Sequence, residues 1–244
     1  MAPFHLREDP EQEEIRAINS HVSFRDKDVL EIGCGDGRLS KKYWAEPGRL
    51  IGIDPDRKAL KSAHESLHES LAKRVKFQEG TAEKLEFDSG SFDVVFFTWS
   101  LCCAQNPVKS LRETWRVLRP RGILVNLMPD IEPSIEVGVL MSLGGKEIPR
   151  TKQRVAYDAL VGSMKERLFA PTKEERVFFS VYPDSIEEFM AWLPSYTGPF
   201  DQAEFDSMKP KSIQAIKDFA QFLKWGQGFR VRDVLSLVSA QKVD

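Results

Sequence analysis

The chain is poor in cysteine, histidine and long apolar runs, and each shortage closes off a class of protein. Of its 244 residues only three are cysteine. Cys34 stands alone while Cys102 and Cys103 are adjacent, a spacing that suits neither a disulfide framework nor a zinc ribbon and fits a reducing, cytoplasmic setting. No apolar stretch approaches the length of a bilayer span, and the charged opening "MAPFHLREDPEQEE" lacks a signal-peptide core, so no membrane insertion is expected. Nor is there a block of Lys or Arg. The 35 basic residues face 37 acidic ones, for a formal net charge of −2, and nucleic acid is not an expected partner. With four histidines, metal chemistry has few candidates. The stretch "HESLH" from His64 to His68 matches H-E-x-x-H letter for letter. It falls in a crossover helix whose apolar stripe is Leu60, Ala63, Leu67 and Leu71, with Glu65 facing solvent and no third ligand at a matching spacing. It reads as an accident of a solvated helix face, and no metal is expected.

What is present is a hydrophobic fraction of 41% with 30% charge, enough to build a core. From Asp28 onward the pattern alternates. "VLEIG" (29–33), "RLIGID" (49–54), "RVKFQEG" (74–80), "FDVVFFTWS" (92–100) and "GILVNLM" (122–128) are short apolar runs, the mark of strands covered on both faces. Helical segments fill the gaps. In "NPVKSLRETWRVLRPRG" (106–122), Asn106 is a cap and Pro107 suits the first helical position. Val108, Leu111, Trp115 and Leu118 form its stripe. Strands and helices alternating at this spacing predict an α/β, doubly wound, mostly parallel sheet.

The stretch "VLEIGCGDGRLS" (29–40) carries the chemistry. Gly33, Gly35 and Gly37 follow a strand and open a helix, where glycine permits positive φ and close approach of a ligand to the backbone. A dinucleotide fingerprint needs its third glycine one residue later, where Arg38 stands. Asp36 would repel a pyrophosphate at that helix start, and Glu31 adds a second negative charge. The loop suits a ligand bearing positive charge, such as an ammonium and a sulfonium. Asp54 closes the second strand roughly twenty residues on, where a carboxylate accepts both hydroxyls of a ribose. The competing reading of Asp54 is a helix cap ahead of Pro55, a role that Asp56 can fill instead.

These stretches, with "GTAEKLEFDSGSFDVVFFTWS" (80–100) and "SLRETWRVLRPRGILV" (110–125), resemble the successive motifs of class I S-adenosylmethionine-dependent methyltransferases. The small-molecule group typified by the ubiquinone/menaquinone-biosynthesis enzymes is the nearest in pattern. The resemblance covers about residues 28–128. It implies a Rossmann-like, seven-stranded sheet whose long closing strand inserts antiparallel beside the fifth, with the sixth at the edge and a small helical cap. It also implies that Glu31 and the loop of Gly33, Cys34, Gly35 and Gly37 hold the methionine part of S-adenosyl-L-methionine. Asp54, with Pro55 beside it, would take the ribose. The turn of Thr81, Ala82 and Glu83 would meet the adenine edge, and Thr98 and Trp99 would lie beside the amino group and the sulfonium. The family usually has an acidic residue where Thr81 stands, and Glu83 is the substitute. It usually has Pro-Gly-Gly before the fifth strand, where this chain has Pro120-Arg121-Gly122, and the non-glycine argues for a type I turn.

Three divisions follow: an N-terminal helical lid over 1–27, a cofactor-binding core over 28–130, and a part over 131–244 that completes the sheet and caps the acceptor side. In that last part, 151–169, 184–193 (capped by Asp184) and 211–225 read as helices. Residues 175–183 and 229–242 read as strands, and 131–150 and 194–211 as Pro- and Gly-bearing loops. The expected function is methyl transfer from S-adenosylmethionine to a small, largely apolar molecule by in-line displacement, yielding S-adenosyl-L-homocysteine. Such a reaction demands alignment and exclusion of water more than a dedicated base, and no catalytic triad is visible. His21 reads as an ordinary helix-end histidine, and Cys102 and Cys103 as small residues after a strand. The alternative is a non-catalytic S-adenosylmethionine-binding partner of the same fold. A nicotinamide oxidoreductase is disfavoured by the loop spacing, and an aminopropyl transferase by the lack of an acidic polyamine pocket.

Overall fold

The computed structural model describes residues 7–8, 12–143, 151–197 and 210–243. Two compact units arise from interleaved stretches of chain, one of Ile15–Pro129, Lys152–Arg176 and Ser236–Asp244, the other of Met1–Glu14, Asp130–Thr151 and Val177–Leu235. The strands in chain order are β1 (Arg7–Glu8), β2 (Asp28–Ile32), β3 (Arg49–Asp54), β4 (Val75–Glu79), β5 (Phe92–Thr98), β6 (Leu118–Pro129), β7 (Phe169–Tyr182), β8 (Lys224–Trp225), β9 (Gly228–Phe229) and β10 (Val231–Lys242). The helices are α1 (Glu13–His21), α2 (Ser40–Tyr43), α3 (Arg57–Ser66), α4 (Pro107–Val117), α5 (Ile135–Leu143), α6 (Thr151–Lys165), α7 (Ile186–Thr197) and α8 (Pro210–Ala220).

The main sheet runs β7-β10-β6-β5-β2-β3-β4, the seven strands expected, with two-residue β1 added antiparallel on β7 through Arg7↔Tyr182 and Glu8↔Val181. Within the run β4-β3-β2-β5-β6 every pairing is parallel. The order reverses between β2 and β5, so their carboxyl ends open a crevice at a topological switch point. Both faces of β2, β3 and β5 are buried, as continuous apolar runs require. Edge strand β4 buries Val75 and Phe77 and exposes Lys76 and Gln78, against the expectation of cover on both faces. On one face Phe96 meets Phe24 and Tyr43 at ring-centroid distances of 5.5 and 5.6 Å. On the other, Phe97, Leu30 and Ile32 pack with Leu111 of α4 and Leu160 of α6 in one cluster.

Local structure departs from the sequence reading at several points. Helix α3 stops at Ser66, and Leu67 is already extended (ψ 122°). His64 and His68 therefore do not share a helix; the His68 ring instead accepts the Ser70 N–H and caps the next short turn. Helix α4 buries Ser110, Leu111, Thr114 and Val117, while Val108 of the expected stripe is exposed. Asn106 caps that helix as expected, its Oδ1 accepting the Lys109 N–H at 2.9 Å. Helix α7 begins with a capping box: Ser185 Oγ accepts the Glu188 N–H, and the Glu188 carboxylate reaches back to the Asp184 N–H. The cap is thus Ser185, not Asp184. Strand β7 starts at Phe169, six residues ahead of the expected Glu175, and α5 occupies part of the expected 131–150 loop. Of the 194–211 loop, 198–209 lies outside the described residues, as does 144–150 of the first loop.

Arg121 overturns the expected type I turn, because it sits at φ 61°. The glycine beside it serves space, not φ: a Cβ on Gly122 would stand 2.9 Å from Arg119 O and 3.2 Å from Asp93 O. With Gly122 fixed by crowding, the left-handed residue falls to Arg121, at a cost of roughly 1–2 kcal/mol. The Arg121 carbonyl accepts from Gln241 Nε2 at 3.1 Å, a bond indifferent to the side chain at 121. Arg121→Gly is therefore expected to stabilise the protein by about 0.5–1 kcal/mol, after glycine's own entropy is deducted. Denaturant unfolding checks it; a midpoint that falls would refute the strain.

The N-terminal helix belongs to the parallel-core unit from Ile15 onward, with Ile15 and Ile18 buried. At its end His21 is not aimed at the sheet's carboxyl edge but held on β7 and β10. Its Nδ1 lies 2.9 Å from Ser239 Oγ and its Nε2 3.4 Å from Glu175. Burial of the ring, helped by Lys173, pulls its pKa below the ordinary 6.5, and Glu175 opposes the shift only in part. The folded state holds this ring neutral, so its contribution to stability is present above pH 6.5 and is lost as pH falls below it. Thermal melts between about pH 7 and pH 5 should show the melting temperature falling, with a smaller slope for His21→Gln. Equal slopes would contradict the neutral ring.

Candidate functional site

At the carboxyl ends of β2, β3 and β5 lies a cavity of about 580 Å³. Its wall includes Gly33, Asp54, Pro55, Thr81, Ala82, Glu83, Thr98 and Trp99, all singled out in the sequence. Ser100, Cys103, Gln105 and Lys109 also line it. Gln105 and Lys109 were missed; they flank the cap of α4, and their signal is a Pro-started helix directly after a strand end, whose first turn opens on the crevice.

The glycine loop holds its shape through the backbone. Gly33, Gly35 and Gly37 have φ of 75°, 55° and 76°, the left-handed region where glycine is at ease. The N–H groups of Gly33 and Cys34 both donate to Ile53 O, at 2.8 and 3.1 Å. A Cβ at Gly33 would overlap the Ser100 Cβ and stand 2.9 Å from its Oγ. Ser100 in turn donates to Ile32 O. The loop after β5 is thereby pressed against the loop after β2, and Gly33 is the only room between them.

Asp54 does not cap α3. Asp56 does, accepting from the N–H groups of Lys58 and Ala59 at 2.8 and 3.2 Å. Asp54 Oδ2 accepts the Gly35 N–H and Oδ1 the Asp56 N–H, both at 2.8 Å. Each oxygen keeps a lone pair, and the residue lines the cavity.

Glu31 behaves differently. It is not on the cavity wall but buried beneath it, accepting from Ser40 Oγ, from Tyr43 Oη at 2.7 Å and from Thr98 Oγ1 at 3.3 Å. Burial raises its pKa against those hydrogen bonds and the charge of Arg38. Its visible role is to fix Thr98, which does line the cavity. Cys34, Gly35 and Gly37 also lie off the wall; Cys34 is buried and its thiol pushed up by desolvation. Thr81 is exposed on the turn closed by its bridge to Lys84, and Glu83 Oε1 accepts the Asn106 N–H at 3.1 Å.

Trp99 is held at φ 58°, a rare state for a bulky side chain. Its N–H donates to Leu127 O at 2.7 Å, and its carbonyl collects the thiols of Cys102 and Cys103 at 3.7 and 3.6 Å. Backbone strain of this kind gathers at functional sites. Cys102 is buried; Cys103 faces the cavity. The adjoining Cys102 thiol and the charge of Lys152, opposed by desolvation, bring the Cys103 thiol down to about 6.

Sheet order, switch-point cavity, left-handed glycine loop and the Asp54 carboxylate at the end of β3 together fit a Rossmann-like methyltransferase fold. Residues 30–126 match the family model described as a methyltransferase domain. The chain is 35% identical over 101 residues to a demethylmenaquinone methyltransferase of Lactococcus lactis, covering 40% of each chain. It is 30% identical over 142 residues to the ubiquinone/menaquinone biosynthesis C-methyltransferase UbiE of Escherichia coli, covering 55% of this chain and 56% of that one. It thus spans between two fifths and just over half of the length of these curated relatives. Among solved structures, YcgJ of Bacillus subtilis superposes with a TM-score of 0.61 at 18% identity, over 96% of this chain and 99% of that one. The [4+2]-cyclase SpnF also reaches 0.61, at 20% identity, over 94% and 81%. These two show the fold alone. No helix among the described residues is long and apolar enough to cross a membrane.

Proposed function

We propose that the protein is an enzyme that moves a methyl group from S-adenosyl-L-methionine to a small, largely apolar acceptor by in-line displacement, releasing S-adenosyl-L-homocysteine. The observation that carries this reading is the cavity in which Gly33, Asp54, the Thr81–Glu83 turn and Thr98–Trp99 converge. The wall fits the donor. Asp54 offers one free lone pair per oxygen to the ribose hydroxyls, Thr81 and Glu83 stand at the adenine end, and Gly33, Thr98 and Trp99 at the methionine end. Glu31 acts from behind Thr98, with Cys34, Gly35 and Gly37 shaping the loop and Pro55 flanking the ribose. The same wall does not suit a dinucleotide. Helix α2 has four residues and no side-chain cap at its start, too short for the helix terminus that receives a pyrophosphate.

S-adenosylmethionine supplies a methyl group already activated on a sulfonium. The chain's own task is then to hold acceptor and donor in line and to exclude water, worth several powers of ten in rate. Thr98, fixed by Glu31, and Trp99, fixed by the Leu127 carbonyl, are the positioning residues, and no general base is assigned. The apolar acceptor is supported by relatives named for demethylmenaquinone and for ubiquinone/menaquinone biosynthesis. Incubation with methyl-labelled S-adenosylmethionine and a panel of quinone precursors, phenols, RNA and protein tests the reading. Label in one of the small molecules is expected; label only in RNA or protein would sink it.

A further inference from the structure

The segment from Pro210 to Arg230 buries one set of apolar side chains and leaves another outside. Helix α8 turns Ile216 and Ala220 inward, and the short turn after it buries Leu223. Phe229 anchors the β8–β9 hairpin: its ring lies 5.9 Å from that of Phe189, and its N–H donates to Pro183 O at 2.9 Å. With the hairpin so fixed, and turned through Gly226 at φ 62°, two large rings still point outward. Phe222 is 84% exposed and Trp225 56%. Lys211, Lys217 and Lys224 are exposed in the same segment, and the Arg230 guanidinium stacks 4.0 Å from the centre of the Trp225 ring. Four cations face one carboxylate, Asp218, in a chain whose net charge is −2. That carboxylate accepts from Gln214 at 2.8 Å.

We propose that this face docks on an anionic lipid bilayer, with Phe222 and Trp225 entering the interfacial layer and the lysines and Arg230 at the level of the lipid phosphates. Exposed aromatic rings in a segment rich in exposed Lys and Arg are the composition that adsorbs to such interfaces, where apolar burial and the negative surface potential act together. Tryptophan suits the boundary because its ring is apolar and its indole N–H polar. Lysine stems can lie along the acyl boundary while the ammonium groups stay with the headgroups. The charge argues against the other occupants. A two-fold contact with a second copy would set these cations against their own equivalents. A nucleic acid would gain little from so few cations and would leave Phe222 in water. No described helix spans a bilayer, so the association is peripheral. The proposal stands independently of the methyl-transfer reading.

Co-sedimentation of the full chain with vesicles decides it. Vesicles of phosphatidylcholine containing about one third phosphatidylglycerol should bind at least about tenfold more tightly than phosphatidylcholine alone, with the difference lost on raising salt from about 0.1 M to about 0.5 M. Phe222→Ser/Trp225→Ser should weaken binding by about tenfold or more, and each of Lys217→Gln and Lys224→Gln by about fivefold, all with unchanged circular dichroism because these side chains face solvent. Trp225 fluorescence should shift to the blue on anionic vesicles, a shift absent in Trp225→Phe. No binding to anionic vesicles, or equal binding by wild type and the Phe222/Trp225 variant, overturns the proposal. So does a dimer that the same variant breaks, or retention by single-stranded nucleic acid but not by vesicles.

Discussion

Replacing Gly33 by alanine is expected to remove S-adenosylmethionine binding and to destabilise the fold by about 2–5 kcal/mol. Two separate costs add. The residue sits at φ 75°, where an L side chain costs roughly 1–2 kcal/mol. Its Cβ would also overlap Ser100, and forced repacking of that kind costs about 1–3 kcal/mol. The loop cannot yield easily, because the Gly33 and Cys34 N–H groups share Ile53 O and Ser100 is tied to Ile32 O. Both Gly33 and Ser100 line the cavity, so the displacement falls on the seat proposed for the donor. Adding Ser100→Gly to Gly33→Ala removes the overlap but not the φ strain, and should recover about half of the lost stability. Chemical unfolding and calorimetric titration of the single and double variants measure both. Affinity unchanged in Gly33→Ala would mean that the ligand does not rest on this loop.

Asp54→Ala should weaken S-adenosylmethionine binding by about 30- to 1,000-fold, equivalent to some 2–4 kcal/mol. The carboxylate has two kinds of work. It orients the glycine loop through the Gly35 N–H and the turn after β3 through the Asp56 N–H, and its remaining lone pairs face the cavity. Hydrogen bonds to a charged group are worth about 1.5–3 kcal/mol each, and the loss falls on the bound state. Asp54→Asn keeps the size and one acceptor, so it should lie between alanine and wild type. Asp56→Ala supplies the contrast: it removes the α3 cap, costs about 1 kcal/mol of stability, and should leave affinity within about twofold. Were Asp56→Ala to lose binding and Asp54→Ala to retain it, the two aspartates would have to exchange roles.

The parallel core was legible because its signals are local and mutually consistent. Val94–Phe97 is apolar throughout and Val29–Ile32 is apolar but for Glu31, a pattern of strands covered on both faces. Asn106-Pro107 marks a helix start without help from tertiary structure. Gly33 of the glycine loop and the strand-end Asp54, which line the cavity, were legible for the same reason, since their spacing follows from the local strand-to-helix turns. Other features depended on neighbours that the sequence does not place. Gly122 is glycine because Arg119 O and Asp93 O crowd it, and that hands the left-handed turn to Arg121. Helix α3 ends without Gly or Pro because His68 caps the turn that follows. Glu31 carries the charge expected of a ligand contact, yet three hydroxyls from α2 and β5 surround it. Its position on the strand is visible in the sequence; the partners arrive only with the fold. Lys109 and Gln105 bear no motif and come to the cavity only because α4 starts at its edge.

The identity of the molecule that binds in the cavity at the ends of β2, β3 and β5 decides the function. Calorimetric titration of the purified protein with S-adenosylmethionine, S-adenosylhomocysteine and NAD(H) side by side is the most direct measurement. Micromolar binding of the first two, lost in Asp54→Ala, and none of the third is the predicted result. Binding of NAD(H) without either sulfur compound would contradict the reading of the glycine loop and of the function built on it.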